Sequence, residues 1–555
     1  MVWRCKALWL AAVLSVASGC SLELDPKPPT RTVARYDLSE GVIPLPSDIL
    51  LDEETGHLDL PIEDDMSAAE VAFRQFLNEG EGWSTAFAGK VEFSAPIDRA
   101  SITDHTFQIW DFTGAPTRLA WEWDDQEHSP GYEGPDVLLS DDGTRITVDP
   151  PRAGWTAGGR YVMLVRGFEG GMRDTAGTPI GIEQAFYFLR MREKLDTYEN
   201  NRAFPGNTRA ERLEVAADLE EVRLKLAPYF DYFEGSDVAP NDSIGRDELA
   251  ALWPFTVTTA PELAMDRPSE RMPIPFDLLI EPDTGLVDLS PTIWDSELEA
   301  GAKVQLSELN GFGLSANLMF ELTQAVDPVT ATTSNISLWK TGDSPVEIPI
   351  EDIMVMAEEG EAGCQQSPVD PGCKHLVVVV QDDQLPLEPR TTYALVVRDE
   401  LRAADGDWIR PMLIGHFMRT DHPLVVDGEN QLDSVPDDLA ERLETTRSRV
   451  AGLLDHLGRG GVLTAWPFTT MDADPGIEAA IATAETLATP VEPDNVQWQT
   501  LDAFNKDDAF ESLFPGILAA VVREVYGLRL NGVHRIVQGT IQTPYLLDPV
   551  TRRIR

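Results

Sequence analysis

The chain holds 555 residues, 94 acidic and 44 basic, for a formal charge of −50, and 43% of it is apolar. That length allows two to four domains of ~100–200 residues, and the apolar fraction supports packed cores rather than global disorder. Nucleic acid is excluded as a partner, because its recognition needs a Lys/Arg stripe to displace counterions and no such cluster occurs.

At the N-terminus Arg4 and Lys6 precede an apolar run from Ala7 to Val16. Such a run has the length of a signal h-region, whereas a helix crossing a ~30 Å hydrocarbon layer needs about 20 residues. It closes on Ala17-Ser18-Gly19-Cys20, which resembles a bacterial lipobox with Ala17 where Leu is more usual. The resemblance implies a signal peptide over 1–19 and acylation of Cys20, a membrane anchor worth ~0.8 kcal/mol per buried CH₂. Ser21 resembles the pattern sorted to the outer membrane of Gram-negative bacteria. Residues 20–38 read as a tether.

The rest is a duplication. Pro44-Leu-Pro46-Ser-Asp48, with Thr55-Gly56 and Asp59-Leu60 behind it, recurs 229 residues later as Pro273-Ile-Pro275-Phe-Asp277, Thr284-Gly285 and Asp288-Leu289. The same offset sets Gly82-Trp83 on Gly311-Phe312 and Trp110 on Trp339. Ala210-Glu-Arg-Leu-Glu214 returns as Ala440-Glu-Arg-Leu-Glu444, and Trp253-Pro-Phe-Thr256 as Trp466-Pro-Phe-Thr469. The last offset is 213, which implies an insertion of about 16 residues in the first copy, near Phe230–Asp247. Two modules follow, 39–262 and 263–475.

Each copy reads mainly as β. Val91–Phe93 and Thr106–Trp110 alternate, and Arg160–Val165, His375–Val380 and Tyr393–Val397 are fuller apolar runs between Asp-Gly turns. One amphipathic helix per copy, Ala210–Leu226 and Asp438–Leu457, must lie on its own sandwich. The expected fold is therefore mainly β, two tandem β-sandwich modules, each with one packed helix, plus a short α/β piece over 476–555. Within that piece Ile477–Ala488 reads as a helix and the region from His534 as strand.

The run Val91–Ile109, with Arg160-Tyr161 and Met172–Ile180, resembles a bacterial Ig-like domain of the S-layer type. Pro44-x-Pro46-x-Asp48 with Gly82-Trp83-Ser84-Thr85 further resembles the N-terminal region of bacterial virulence-factor lipases, which are lipid-anchored surface esterases and lysophospholipases. In that family such modules precede an α/β-hydrolase domain, and residues 476–555 look like the run-in to one. No Gly-x-Ser-x-Gly occurs, nor His-Glu-x-x-His, nor a P-loop, so no catalytic residue is assigned. His456-Leu-Gly-Arg-Gly-Gly461 reads as a helix C-cap rather than an oxyanion loop.

Two cysteines flanking a Pro/Gly-containing loop, Cys364 and Cys373, read as a disulfide in an exported protein, worth ~2–3 kcal/mol. Asp48, Asp52, Glu54 and Asp59 have acidic counterparts in Asp277, Glu281, Asp283 and Asp288, a pattern of hard oxygen ligands that suits weak Ca²⁺ binding. No other cofactor is implied. Trp110 and Trp339 are candidates for stacking on sugars, or for core packing. The expected function is a non-catalytic, lipid-anchored surface lipoprotein acting as spacer or binding region, with a surface polymer or a protein as partner. The alternatives are the N-terminal part of a lipase-like hydrolase whose catalytic domain lies beyond residue 555, and a Ca²⁺-dependent or polymer-binding adhesin.

Overall fold

A computed structural model describes residues 31–36, 41–52, 55–125, 128–129, 131–197, 204, 206, 208–235, 243–268, 271–289, 297–315, 317–357, 364, 372–433, 435–472, 494–500 and 535–540. The signal peptide, Cys20, Glu54 and the helix at Ile477–Ala488 lie outside these residues. Of the C-terminal piece, strands Asp494–Thr500 and Arg535–Thr540 pair antiparallel.

Both copies are β-sandwiches covered by a helix. In module one, a sheet in the order Leu249–Thr256, Arg160–Arg166, Phe107–Asp111, Thr117–Leu119 packs on a second, Gly89–Glu92, Arg145–Asp149, Asp136–Leu139, Glu122–Trp123. The sheets meet closely: a Cβ on Gly89 would come within 2.8 Å of Met163. Module two repeats this with Val346–Ile348, Ile336–Lys340, Thr392–Arg398, Val462–Thr469 over Leu318–Glu321, His375–Val380, Ile350–Met356. Tyr161 to Val165 are all buried because their sheet is covered on both faces, by the partner sheet and by a helix, so the strand reads as a continuous apolar run.

Among the described residues each module carries three α-helices rather than one: α1 (Ala68–Asn78), α2 (Gln184–Leu189) and α3 (Arg209–Glu234), then α4 (Glu297–Leu306), α5 (Leu413–Arg419) and α6 (Asp437–Leu457). The signal for α1 was available in the sequence. Ser67 caps the Glu70 amide at 2.9 Å, and Phe73, Phe76 and Leu77 form a buried stripe at helical spacing. The tether is also shorter than expected. Val33–Ala34 pairs with Gly181–Ile182, as Glu262–Leu263 pairs with Arg410–Pro411, so residue 33 already belongs to module one and residue 262 to module two.

α3 and α6 are each pinned by the same clamp. Arg223 grips Glu220 with two bonds of 2.7 Å, and Glu220 also accepts the Leu195 amide at 3.0 Å. Arg447 grips Glu444 at 2.8 and 2.7 Å, and Glu444 accepts the Leu424 amide at 2.7 Å. Glu444 therefore does the work of Glu220, not of Glu214, with which the matching pentapeptides align it. The extra residues of module one accordingly fall on both sides of the clamp, and the insertion is not confined to Phe230–Asp247.

The repeated motifs converge on one knot. The strand Trp-Pro-Phe-Thr lies at the edge of its sheet in both modules, where a proline costs no ladder bond. At its end Asp48 accepts the Thr256 amide at 2.7 Å and hydroxyl at 2.9 Å. Asp277 does the same for Thr469 at 2.6 and 2.8 Å and also pairs with Arg449. Burial pushes the Asp48 carboxyl up and the Thr256 bonds pull it back. Gly82 and Gly311, at φ +119° and +157°, let Trp83 and Phe312 bridge alongside the same strand ends, and a Cβ there would meet Thr256 O at 2.9 Å or Thr469 O at 2.8 Å. Asp277→Ala would strand a buried amide, a hydroxyl and a guanidinium. It is expected to cost about 3 kcal/mol and to lower the melting temperature of module two by several degrees, read by calorimetry.

Candidate functional site

What most distinguishes the two modules is the seam between them. The Glu262 carboxylate is buried and reaches back into module one, accepting the Thr85 amide at 2.9 Å and hydroxyl at 2.7 Å. α1 of module one lies on α5 of module two, with Phe73 5.5 Å from Phe417 and Phe76 stacked on the His416 imidazole at 4.1 Å. Arg410 donates to the Phe76 carbonyl at 2.9 Å. Ser67 Oγ donates to the Gln431 carbonyl at 2.6 Å, and Glu70 accepts the Asp433 amide at 3.1 Å. Further along, Arg271 donates to the Ala153 carbonyl at 3.1 Å and Gln324 to the Thr259 carbonyl at 2.8 Å. At the positions matching Phe73, Phe76 and Leu77, α4 carries Ala302, Gln305 and Leu306, all exposed.

Burial dominates the electrostatics of this seam. It raises the Glu262 carboxyl, against the Thr85 bonds and the Arg410 charge, and it lowers Arg410 and Arg419. His416 is pushed down to about 3 by burial and then by Arg419 and Arg410, so the ring on Phe76 is a neutral imidazole at neutral pH, its Nδ1 without a hydrogen-bond partner. Half-buried Asp149 rises to about 7. Desolvation leads, and Asp266 of module two, Asp124 and Asp136 add like charge, with Asp136 directly opposite in the strand register. These groups do structural work: the Thr85 hydroxyl is committed to Glu262.

The residues expected to bind Ca²⁺ are not brought together. Asp48 and Asp277 are the knots described above, and Asp52 accepts the Thr55 amide at 2.9 Å in its own turn. Asp59 and Asp283 are exposed, Glu281 lies 3.8 Å from Arg442, and Asp288 pairs with Arg267. Glu54 is outside the described residues. Among the described residues no three His, Cys, Asp or Glu side chains converge as a metal site. Asp48 and Asp277 recur because each fastens its own distant threonine, Thr256 or Thr469, which is a structural reason for repeating an acid. Melts with and without chelator are expected to coincide.

Trp110 is 4% exposed and packs edge-on to Phe233 beneath α3, 5.3 Å between centroids. Trp339 sits at the edge of the cluster under α6, near His456. Both take the packing role and not the sugar-stacking one, because the helix covers that face of the sheet. Cys364 and Cys373 form the disulfide, with 5.5 Å between Cα atoms. Gly458 ends α6 at φ +78°, which makes His456–Gly461 a C-cap. The large feature missed by the sequence reading is the seam, whose signal was the loss of Phe73 and Phe76 in the second copy.

No family model and no curated protein matches the chain. The resemblance to lipase N-terminal regions therefore rests on its quoted residues alone. Among solved structures, the chain is similar to the S-layer protein rSbsC(31-844) at 23% identity, over 18% of this chain and 11% of that one, with a TM-score of 0.13. A second match, to domains 1–6 of surface layer protein SbsC, has 24% identity over 17% and 11%, with a TM-score of 0.12. The chain thus spans about a tenth of these proteins, and nothing is built on the likeness.

Asp149 gives a direct check on the seam. A carboxyl raised from 3.8 to about 7 makes the folded state the tighter proton binder, so stability falls as pH climbs through that window and levels off above it. Asp149→Asn is expected to leave the melting temperature unchanged at pH 4 and to raise it by several degrees at pH 8, flattening the profile.

Proposed function

We propose that the protein is a non-catalytic surface lipoprotein, exported under the 1–19 signal, anchored through acylated Cys20 in a Gram-negative outer membrane, and acting as a stiff spacer or binding region. The observation that carries this reading is the seam. A buried carboxylate, a helix-on-helix contact and main-chain bonds join the modules into one body, where a flexible linker would leave them independent. Stiffness is useful to a molecule that must hold something at a set distance from a membrane. The acidic charge of −50 suits life against water and salt and repels anionic polymers. No helix among the described residues is long and apolar enough to cross a membrane.

Mass spectrometry of the native protein extracted in detergent tests the anchor. The expected species begins at Cys20 and carries acyl chains, and Cys20→Ala is expected to move the protein to the soluble fraction. Small-angle scattering on residues 20–555 tests the stiffness. The maximum dimension is expected to stay constant with ionic strength in the native protein and to become salt-dependent in Glu262→Ala, where the seam loses its buried acceptor. Hydrolysis of short-chain esters by purified residues 20–555 would overturn the non-catalytic reading.

A further inference from the structure

The two modules descend from one sequence and share one scaffold, so an exposed apolar group that appears in one copy only is not there for the fold. Three departures from module one meet at one end of module two, two of them exposed apolar side chains and the third a buried disulfide. The first is Trp408, 61% exposed, where module one has Pro179 at the matching bridge: Arg402 pairs with Trp408 as Arg173 pairs with Pro179. The second is Val329, 79% exposed, in place of Ala100. The third is the disulfide. In module one the Ile97 amide bonds the Gly143 carbonyl of a tight hairpin, whereas in module two the Val326 amide bonds the carbonyl of Cys373, which is disulfide-bonded to Cys364, at 3.0 Å.

A continuous ladder holds these three together. Cys373 bonds Val326, Val326 bridges Ala403, the Asp327 amide bonds the Arg402 carbonyl at 2.9 Å, and Arg402 bridges Trp408. The Arg402 amide also donates to Thr330 Oγ1 at 3.0 Å, which ties the Val329 turn to the Trp408 hairpin. Arg402 lays its guanidinium on the indole, 3.2 Å from the ring centroid, where Arg173 of module one instead turns back to the Gly177 carbonyl. Arg402 thereby covers part of an indole that is still 61% exposed. The exposed carboxylates of Asp405 and Asp407 stand on the same hairpin.

We propose that this end of module two is a docking site for an uncharged or amino-sugar polysaccharide, stacked on the exposed indole of Trp408. The ring supplies an apolar plane for the C–H face of a pyranose, and Asp405 and Asp407 supply acceptors for hydroxyl or ammonium groups. Binding through one aromatic plane and a few hydrogen bonds suits a repeating polymer, where many weak contacts add along the chain. Charge settles the class: with 94 acids against 44 bases, an anionic polymer is repelled. The proposal goes beyond the spacer reading and does not rest on it.

The test is retention of the full chain on insoluble chitin, cellulose and chitosan, with polygalacturonate gel as the anionic control, backed by titration with soluble chito-oligosaccharides. Native protein is expected to be retained on at least one of the first three and not on the control. Trp408→Pro, which installs the residue of the sister module, and Trp408→Ala are expected to weaken retention about tenfold or more, while Trp408→Phe keeps part of it. Unchanged circular dichroism and melting temperature in all three would show that the fold is intact, and Trp339→Phe serves as a tryptophan control expected to bind as native. Equal retention of Trp408→Ala and native protein would overturn the proposal, as would the failure of every neutral or amino-sugar matrix to bind. Recovery of a protein in place of a glycan as the Trp408-dependent partner would overturn it too.

Discussion

Each module depends on a carboxylate that closes its last strand. The edge strand Trp-Pro-Phe-Thr has a neighbouring strand on one side only, and Asp48 or Asp277 fastens its end from the opening turn of the same module. First and last segments of each module are thus tied directly to one another. The glycine–aromatic pair slots alongside the same strand end. Three motifs scattered over some 200 residues recur together because they meet at one place. Their repetition is structural, and this is why a repeated acid was an unreliable sign of a metal.

Much of the architecture was legible in the sequence. The duplication, the β class and the disulfide followed from repeated motifs, strand alternation and cysteine spacing. What failed was whatever depended on partners distant in sequence. α2 and α5 are too short to show periodicity, and the stripe of α1, though at helical spacing, does not tell what it lies on until α5 is placed. The alignment of α3 with α6 through matching pentapeptides was persuasive and wrong by six residues, because a five-residue identity at a helix start carries less weight than the buried Glu220–Arg223 and Glu444–Arg447 clamps.

The seam shows how acids behave when a very acidic chain must fold. Most of the surplus negative charge can stay in water, but Glu262 and Asp149 are drawn in where the modules meet, and desolvation raises both. Glu262 has bonds from Thr85 and a nearby Arg410 to compensate it. Asp149 has only further carboxylates for company and sits where protonation relieves the crowding. The same contact surface thus holds one settled buried acid and one unsettled one.

The unequal α1 and α4 faces have a consequence for the order of the parts. The aromatic pair Phe73 and Phe76 faces forward onto the next module, and the corresponding face of α4 offers only Ala302, Gln305 and Leu306. Thr85, which receives the buried carboxylate, is matched by Leu314, and Glu262 itself by Val33. A chain with its modules exchanged would keep both cores and both knots yet could not rebuild the joint between them. Duplication made two similar bodies, and later divergence gave the pair a fixed reading direction.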